Sequence, residues 1–169
     1  MRAQGHAAVA KRNSFRGAEA AIWRKLIAGR DPLRQRMTLA LSEILVVSMA
    51  GLPMAWRGFA VAHYADLLEA HAFGNYRSLI EAVSLSPAMG VYLNLRGNRR
   101  SDASGRLPDE NFARELMQLF TIGLVELNAD GTRRLVDGKP VETYTQDDIS
   151  QLARVLTGFT FHGPDGQVL

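Results

Sequence analysis

The chain has 169 residues, a formal net charge of +3, 47% apolar residues and 22% charged ones. That composition is globular, long enough for one ordinary domain with a real core, and it excludes disordered and fibrous classes. Zero cysteines exclude disulfides, thiolate metal sites and a cysteine nucleophile.

The basic residues are 17 Arg against 3 Lys, a bias that a GC-rich genome explains as well as phosphate binding does. Residues 1–14 are small and polar and read as a frayed N-terminal segment. With no apolar h-region at the start, no secretory signal is visible, which leaves export of a longer parent protein open. The first helix is expected over Phe15 to Ala28, with Ile22, Trp23, Leu26 and Ile27 as its apolar side. Asp31-Pro32 is a start signal, N-cap followed by proline at the first helical position. The helix it opens carries Leu33, Met37, Leu41, Ile44 and Val47 at helical spacing and should stop near Gly51. The longest apolar run, Met37 to Leu52, is shorter than the roughly 18–20 residues of a bilayer span, so it predicts a buried helix and no membrane span.

A third helix is expected from Ala55 to Phe73, turning Trp56, Phe59, Ala60, His63, Leu67 and Leu68 inward and stopping at Gly74. Asn75 can cap a fourth, through Leu79, Ile80 and Val83. Ser86-Pro87 opens a short one ending near Gly97. Gly97 to Leu107 has the composition of an exposed loop. Asp109 caps an amphipathic helix with Phe112, Leu116, Leu119 and Phe120 on one side, ended by Gly123. Asp130-Gly131 and Asp137-Gly138 are turn dipeptides and predict a small β-hairpin near residues 132–144. Thr145 and Asp148 form a capping-box start for a last helix through Ile149, Leu152, Val155 and Leu156, halted by Gly158. The fold class is therefore mostly α, a multi-helix array or bundle with one small hairpin. Residues 15–161 read as a single helical domain, and 162–169 as a truncated tail.

Four stretches carry a resemblance: Pro32 to Ser48 (PLRQRMTLALSEILVVS), His71 to Leu93, Pro108 to Gly123 (PDENFARELMQLFTIG) and Tyr144 to Phe159 (YTQDDISQLARVLTGF). In that order they resemble the bacterial domain-of-unknown-function family 1800. The family brings no established activity. Its members run to several hundred residues, which implies that this chain is part of a longer family domain and that its first partner is the remainder of its own chain.

Glu43 is the first residue that invites a chemical reading. Leu39, Ala40, Val46 and Val47 lie three and four positions either side, so a helix would bury its carboxylate unless it is paired or protonated. It is a catalytic candidate with a raised pKa, or the buried partner of Arg36, Arg114 or Arg154. Glu115 is the second catalytic candidate. Glu110, Asn111 and Glu115 are candidate metal ligands, since two carboxylates and an amide near a helix start suit a hard divalent ion; equally, acids there complement the helix dipole. His63 and His71 are about 12 Å apart along one helix and cannot share an ion. No P-loop, dinucleotide fingerprint or G-x-S-x-G is present. Arg96, Arg99, Arg100 and Arg106 crowd one loop, but no aromatic residue between them would stack a base, so no nucleic-acid partner is expected. Two functions stay open. One is a helical scaffold or interaction module of a larger uncharacterised protein. The other is part of a hydrolytic or metal-dependent enzyme using Glu43, Asn111 and Glu115, completed by a further C-terminal portion.

Overall fold

The computed structural model describes residues 15–161, so the expectations for 1–14 and 162–169 lie outside the described residues. The chain divides into two compact units, the first ending at Tyr92 and the second beginning at Leu93. The architecture is mostly helical with one two-stranded sheet. Among the described residues no helix is long and apolar enough to cross a membrane.

The first unit holds α1 (Phe15–Ala28), α2 (Pro32–Ile44), α3 (Arg57–Ala70), α4 (Tyr76–Ser84) and α5 (Pro87–Tyr92). Local signals set the starts. Asp31 accepts from the Arg34 amide at 3.0 Å with Pro32 next to it, and Asn75 accepts from the Arg77 amide at 2.9 Å. The core contains the fully buried Leu45, Leu52, Leu68, Val83 and Met89, each such side chain contributing about 1.5–3 kcal/mol. The buried Tyr64 hydroxyl donates to the Leu45 carbonyl at 2.8 Å, and burial raises its pKa.

The faces of these helices differ from the sequence expectation. α2 ends at Ile44, well before Gly51, and its buried residues are Gln35, Thr38 and Leu41. Leu33 is 67% exposed, Met37 37% and Ile44 51%. The reason is a polar junction that outweighs the apolar stripe. Gln35 Nε2 donates to Glu69 Oε1 at 3.0 Å, Arg34 Nη1 to the Glu69 carbonyl at 3.0 Å, and Lys25 pairs with both Glu69 and Asp66. Hydrogen bonds to Asp66 and Glu69 hold the Lys25 ammonium above its ordinary pKa. On α1, Trp23 and Ile27 are exposed, and on α3 so are Phe59 and His63, while Ala60, Tyr64 and Leu68 turn in.

The second unit opens with a loop, then α6 (Asn111–Glu115), which runs straight into a π turn over Leu116–Phe120. The wider turn inserts a residue into the helical register. Phe112, Ala113 and Phe120 are buried while Leu119 is 58% exposed, so the expected apolar side is split. β1 (Leu135–Val136) and β2 (Lys139–Pro140) pair antiparallel, Val136 opposite Lys139. The two residues between, Asp137 and Gly138, have φ of 51° and 77°, the paired positive values a type I′ turn requires. Around this hairpin, Glu126 and Thr143 donate to the Val141 and Leu124 carbonyls, so residues 124–126 pair with 141–143. The last helix, α7 (Gln146–Val155), packs Ile149 and Ala153 on Ala113, with Met117, Tyr144, Leu152 and Leu156 around them.

The start of α7 is the capping box read from the sequence. Thr145 Oγ1 accepts from the Asp148 amide at 3.3 Å, and Asp148 accepts from the Thr145 amide at 2.8 Å. That bond from the Thr145 amide is the main reason the Asp148 carboxyl sits below its ordinary pKa. Thr145→Ala should lower stability by about 0.5–2 kcal/mol in urea unfolding, and Thr145→Ser should restore most of it. An unchanged midpoint for Thr145→Ala would place the helix start elsewhere.

Candidate functional site

The residues singled out in the sequence fall into both units. Glu43 belongs to the first. It lies about 200° around α2 from the buried Leu41, at 100° per residue, and it is exposed. Of the apolar neighbours that argued for a buried carboxylate, Ala40 and Val46 are exposed and Leu39 and Val47 half-buried, and both valines lie beyond the end of α2. Glu110, Asn111 and Glu115 belong to the second unit and are half-buried.

Glu110 is a hub between α6 and α7. Its carboxylate accepts from Ser150 Oγ at 2.7 Å, Gln146 Nε2 at 2.9 Å and Arg114 Nη2 at 3.0 Å. The Ser150 hydroxyl, then Gln146, then the Arg114 charge hold its pKa below the ordinary carboxylate value. The i,i+4 spacing of Glu110 and Arg114 is visible in the sequence; the α7 partners are 36 and 40 residues on, and no local pattern shows them. Glu115 is different. Among the described residues its side chain has no hydrogen bond or ion pair, and it sits where α6 passes into the π turn. Among the described residues no three His, Asp or Glu side chains come together in a group that would hold a metal ion.

The residue that sequence reasoning missed is Asn98. It stands in the stretch expected to be an exposed loop, yet it is only 7% exposed. Its side-chain oxygen accepts from the Asp109 amide at 2.8 Å, and its Nδ2 reaches the Asp109 carbonyl at 3.2 Å and the Leu156 carbonyl at 3.0 Å. The backbone closes the same joint. The Gly158 amide donates to the Asn98 carbonyl at 2.9 Å, and the Gly97 amide to the Phe159 carbonyl at 2.8 Å. One amide therefore fastens the loop both to the start of α6 and to the last carbonyls of α7, groups a helix end leaves without partners. Asp109 is in turn engaged on both oxygens, by the Asn111 amide at 2.8 Å and Asn94 Nδ2 at 3.2 Å.

Beside Asn98 opens a cleft of about 460 Å³, lined by Asn94, Arg96, Arg99, Arg106 and Asp109. Arg96, Arg99 and Asn98 also line an adjoining recess with Gly158 and Phe159. The Arg96 guanidinium lies 4.3 Å from the centre of the Phe161 ring. Arg106 pairs with Asp102 at 3.5 Å. The four-arginine loop is thus pinned at its base, and three of its arginines, Arg96, Arg99 and Arg106, line the cleft.

A family model described as a protein of unknown function, DUF1800, matches residues 3–168. No curated protein and no solved structure matches the chain.

One substitution in each unit tests these placements. Asn98→Ala leaves part-buried backbone groups at Asp109 and Leu156 without their partner, at up to about 1–3 kcal/mol for each, and should lower the melting temperature. Glu43→Gln, on an exposed helix face, should change stability by no more than roughly 0.5 kcal/mol. A severe loss for Glu43→Gln, or none for Asn98→Ala, in thermal melts would contradict these placements.

Proposed function

The chain belongs to the DUF1800 family of unknown function, and we propose that it is a helical interaction module whose charged side chains serve its architecture. The observation that carries this reading is the inverted polarity of α2. Leu33, Met37, Ala40 and Ile44 fall within an arc of about 60° on a helix of 100° per residue, and all four are exposed. The same helix turns Gln35 and Thr38 into the core. An exposed apolar stripe on a helix that buries polar residues is the arrangement of a surface meant to be covered. The occupant we propose is a further part of the same polypeptide.

The acids support this over the hydrolytic or metal-dependent alternative. Asp31 pairs with Arg34, Glu69 with Lys25, Asp102 with Arg106, Glu110 with Arg114 and Glu126 with Arg134. An enzyme site would gather acids in one cleft, whereas here each of these is matched with a base. The half-buried Glu115 is the observation on which the enzyme reading still rests.

The 169-residue chain should bind a hydrophobic dye and self-associate in sedimentation velocity. Leu33→Glu with Met37→Glu should reduce both without lowering the melting temperature, because neither side chain is in the core. A monodisperse wild-type monomer that leaves the dye dark would overturn the module reading.

A further inference from the structure

The cleft beside Asn98 is not used by the reading above, which rests on α2. Three arginines, Arg96, Arg99 and Arg106, line it together with Asp109. Their hydrogen-bonding capacity is largely unspent. Arg106 meets Asp102 only at 3.5 Å, Arg96 lies over the face of Phe161, and Arg99 has no hydrogen bond or ion pair among the described residues. A free arginine loop would be poorly suited to binding, because ordering it consumes affinity. Here the ordering is done by folding. Asn98 is buried, its side chain is saturated by Asp109 and Leu156, and Gly97 and Asn98 are bonded through the backbone to Phe159 and Gly158.

We infer that this cleft binds a small hydroxylated phosphate ester of the sugar-phosphate class. The planar guanidinium fork matches a phosphate oxyanion in two parallel charge-assisted bonds. The Asp109 oxygens each accept one bond and retain a further lone pair, so they take a ligand hydroxyl but repel a second anionic group. Three cations against the two acids Asp102 and Asp109 leave one net positive charge for the ligand. The cavity, about 460 Å³, falls in the range of roughly 300–1,000 Å³ usual for small-molecule sites.

Isothermal titration with glucose 6-phosphate, inorganic phosphate and glucose, at one ionic strength held with sodium chloride, tests this. Glucose 6-phosphate should bind saturably at one site, inorganic phosphate more weakly, and glucose not at all. Arg99→Gln, which removes no contact within the protein, should weaken glucose 6-phosphate binding at least about tenfold, the usual consequence of losing a charge-assisted bond. Arg77→Gln, an equal charge change in α4, should leave it unaltered, as should the α2 variants that silence the dye. Absence of saturable heat with glucose 6-phosphate overturns the proposal. Equal weakening by Arg77→Gln and Arg99→Gln reduces it to unspecific charge attraction and also overturns it. Inorganic phosphate binding as tightly as glucose 6-phosphate would overturn the hydroxyl contact at Asp109 and with it the ligand class.

Discussion

Gln35 and Asn98 are amides with 4% and 7% of their surface exposed, and taking an amide out of water costs several kcal/mol unless every polar atom finds a partner. That requirement orders each unit. In the first, Gln35 must meet Glu69, and Glu69 draws in Lys25 and Arg34, so α1, α2 and α3 are referenced to one carboxylate. In the second, Asn98 must meet both Asp109 and Leu156, so the ends of α6 and α7 are referenced to one amide. Apolar packing then fills in around these fixed points. It supplies most of the stabilisation but does not choose the faces, since a hydrophobic contact has no direction and a hydrogen bond does.

How much was legible in the sequence follows from the reach of each interaction. Asp31, Asn75, the Thr145–Asp148 box and the Asp137–Gly138 turn act within three residues of themselves, and each was read correctly. The helix faces were not. Apolar spacing in α2 pointed Leu33, Met37 and Ile44 inward, but Gln35 is held by a partner 34 residues away, and no local pattern announces that. Asn98 looks like loop in the sequence because its neighbours are Gly97, Arg99 and Arg100; its partners are 11 and 58 residues distant. The π turn was hidden for another reason. A regular period of 3.6 through Phe120 puts Leu119 and Phe120 on one side, and one inserted residue is enough to separate them, leaving Leu119 exposed and Phe120 buried. Of the candidate site, the Glu110–Arg114 pair is visible as an i,i+4 spacing, whereas the exposure of Glu43 is not.

The unequal use of the two charge signs links architecture to surface chemistry. The acids are largely spent within the fold: Asp31 and Asp148 on helix starts, Asp109 on the Asn111 amide and Asn94, Glu69 on the α1–α2–α3 junction, Glu110 on α7. Exposed ion pairs contribute little stability, commonly below about 1 kcal/mol, so the value of these acids lies in where their hydrogen bonds point rather than in Coulomb attraction. The basic residues are not consumed to the same degree, and the surplus is not spread evenly. Arg96, Arg99, Arg100 and Arg106 fall within eleven residues that carry only one acid, Asp102, and that stretch is the one Asn98 locks from beneath. A positive surplus on a mobile loop would be averaged over many conformations and screened within a Debye length of roughly 8–10 Å. Beside the cleft, the charges of Arg96, Arg99 and Arg106 act together on whatever enters, so the buried amide that closes the second unit also determines where its unspent charge is concentrated.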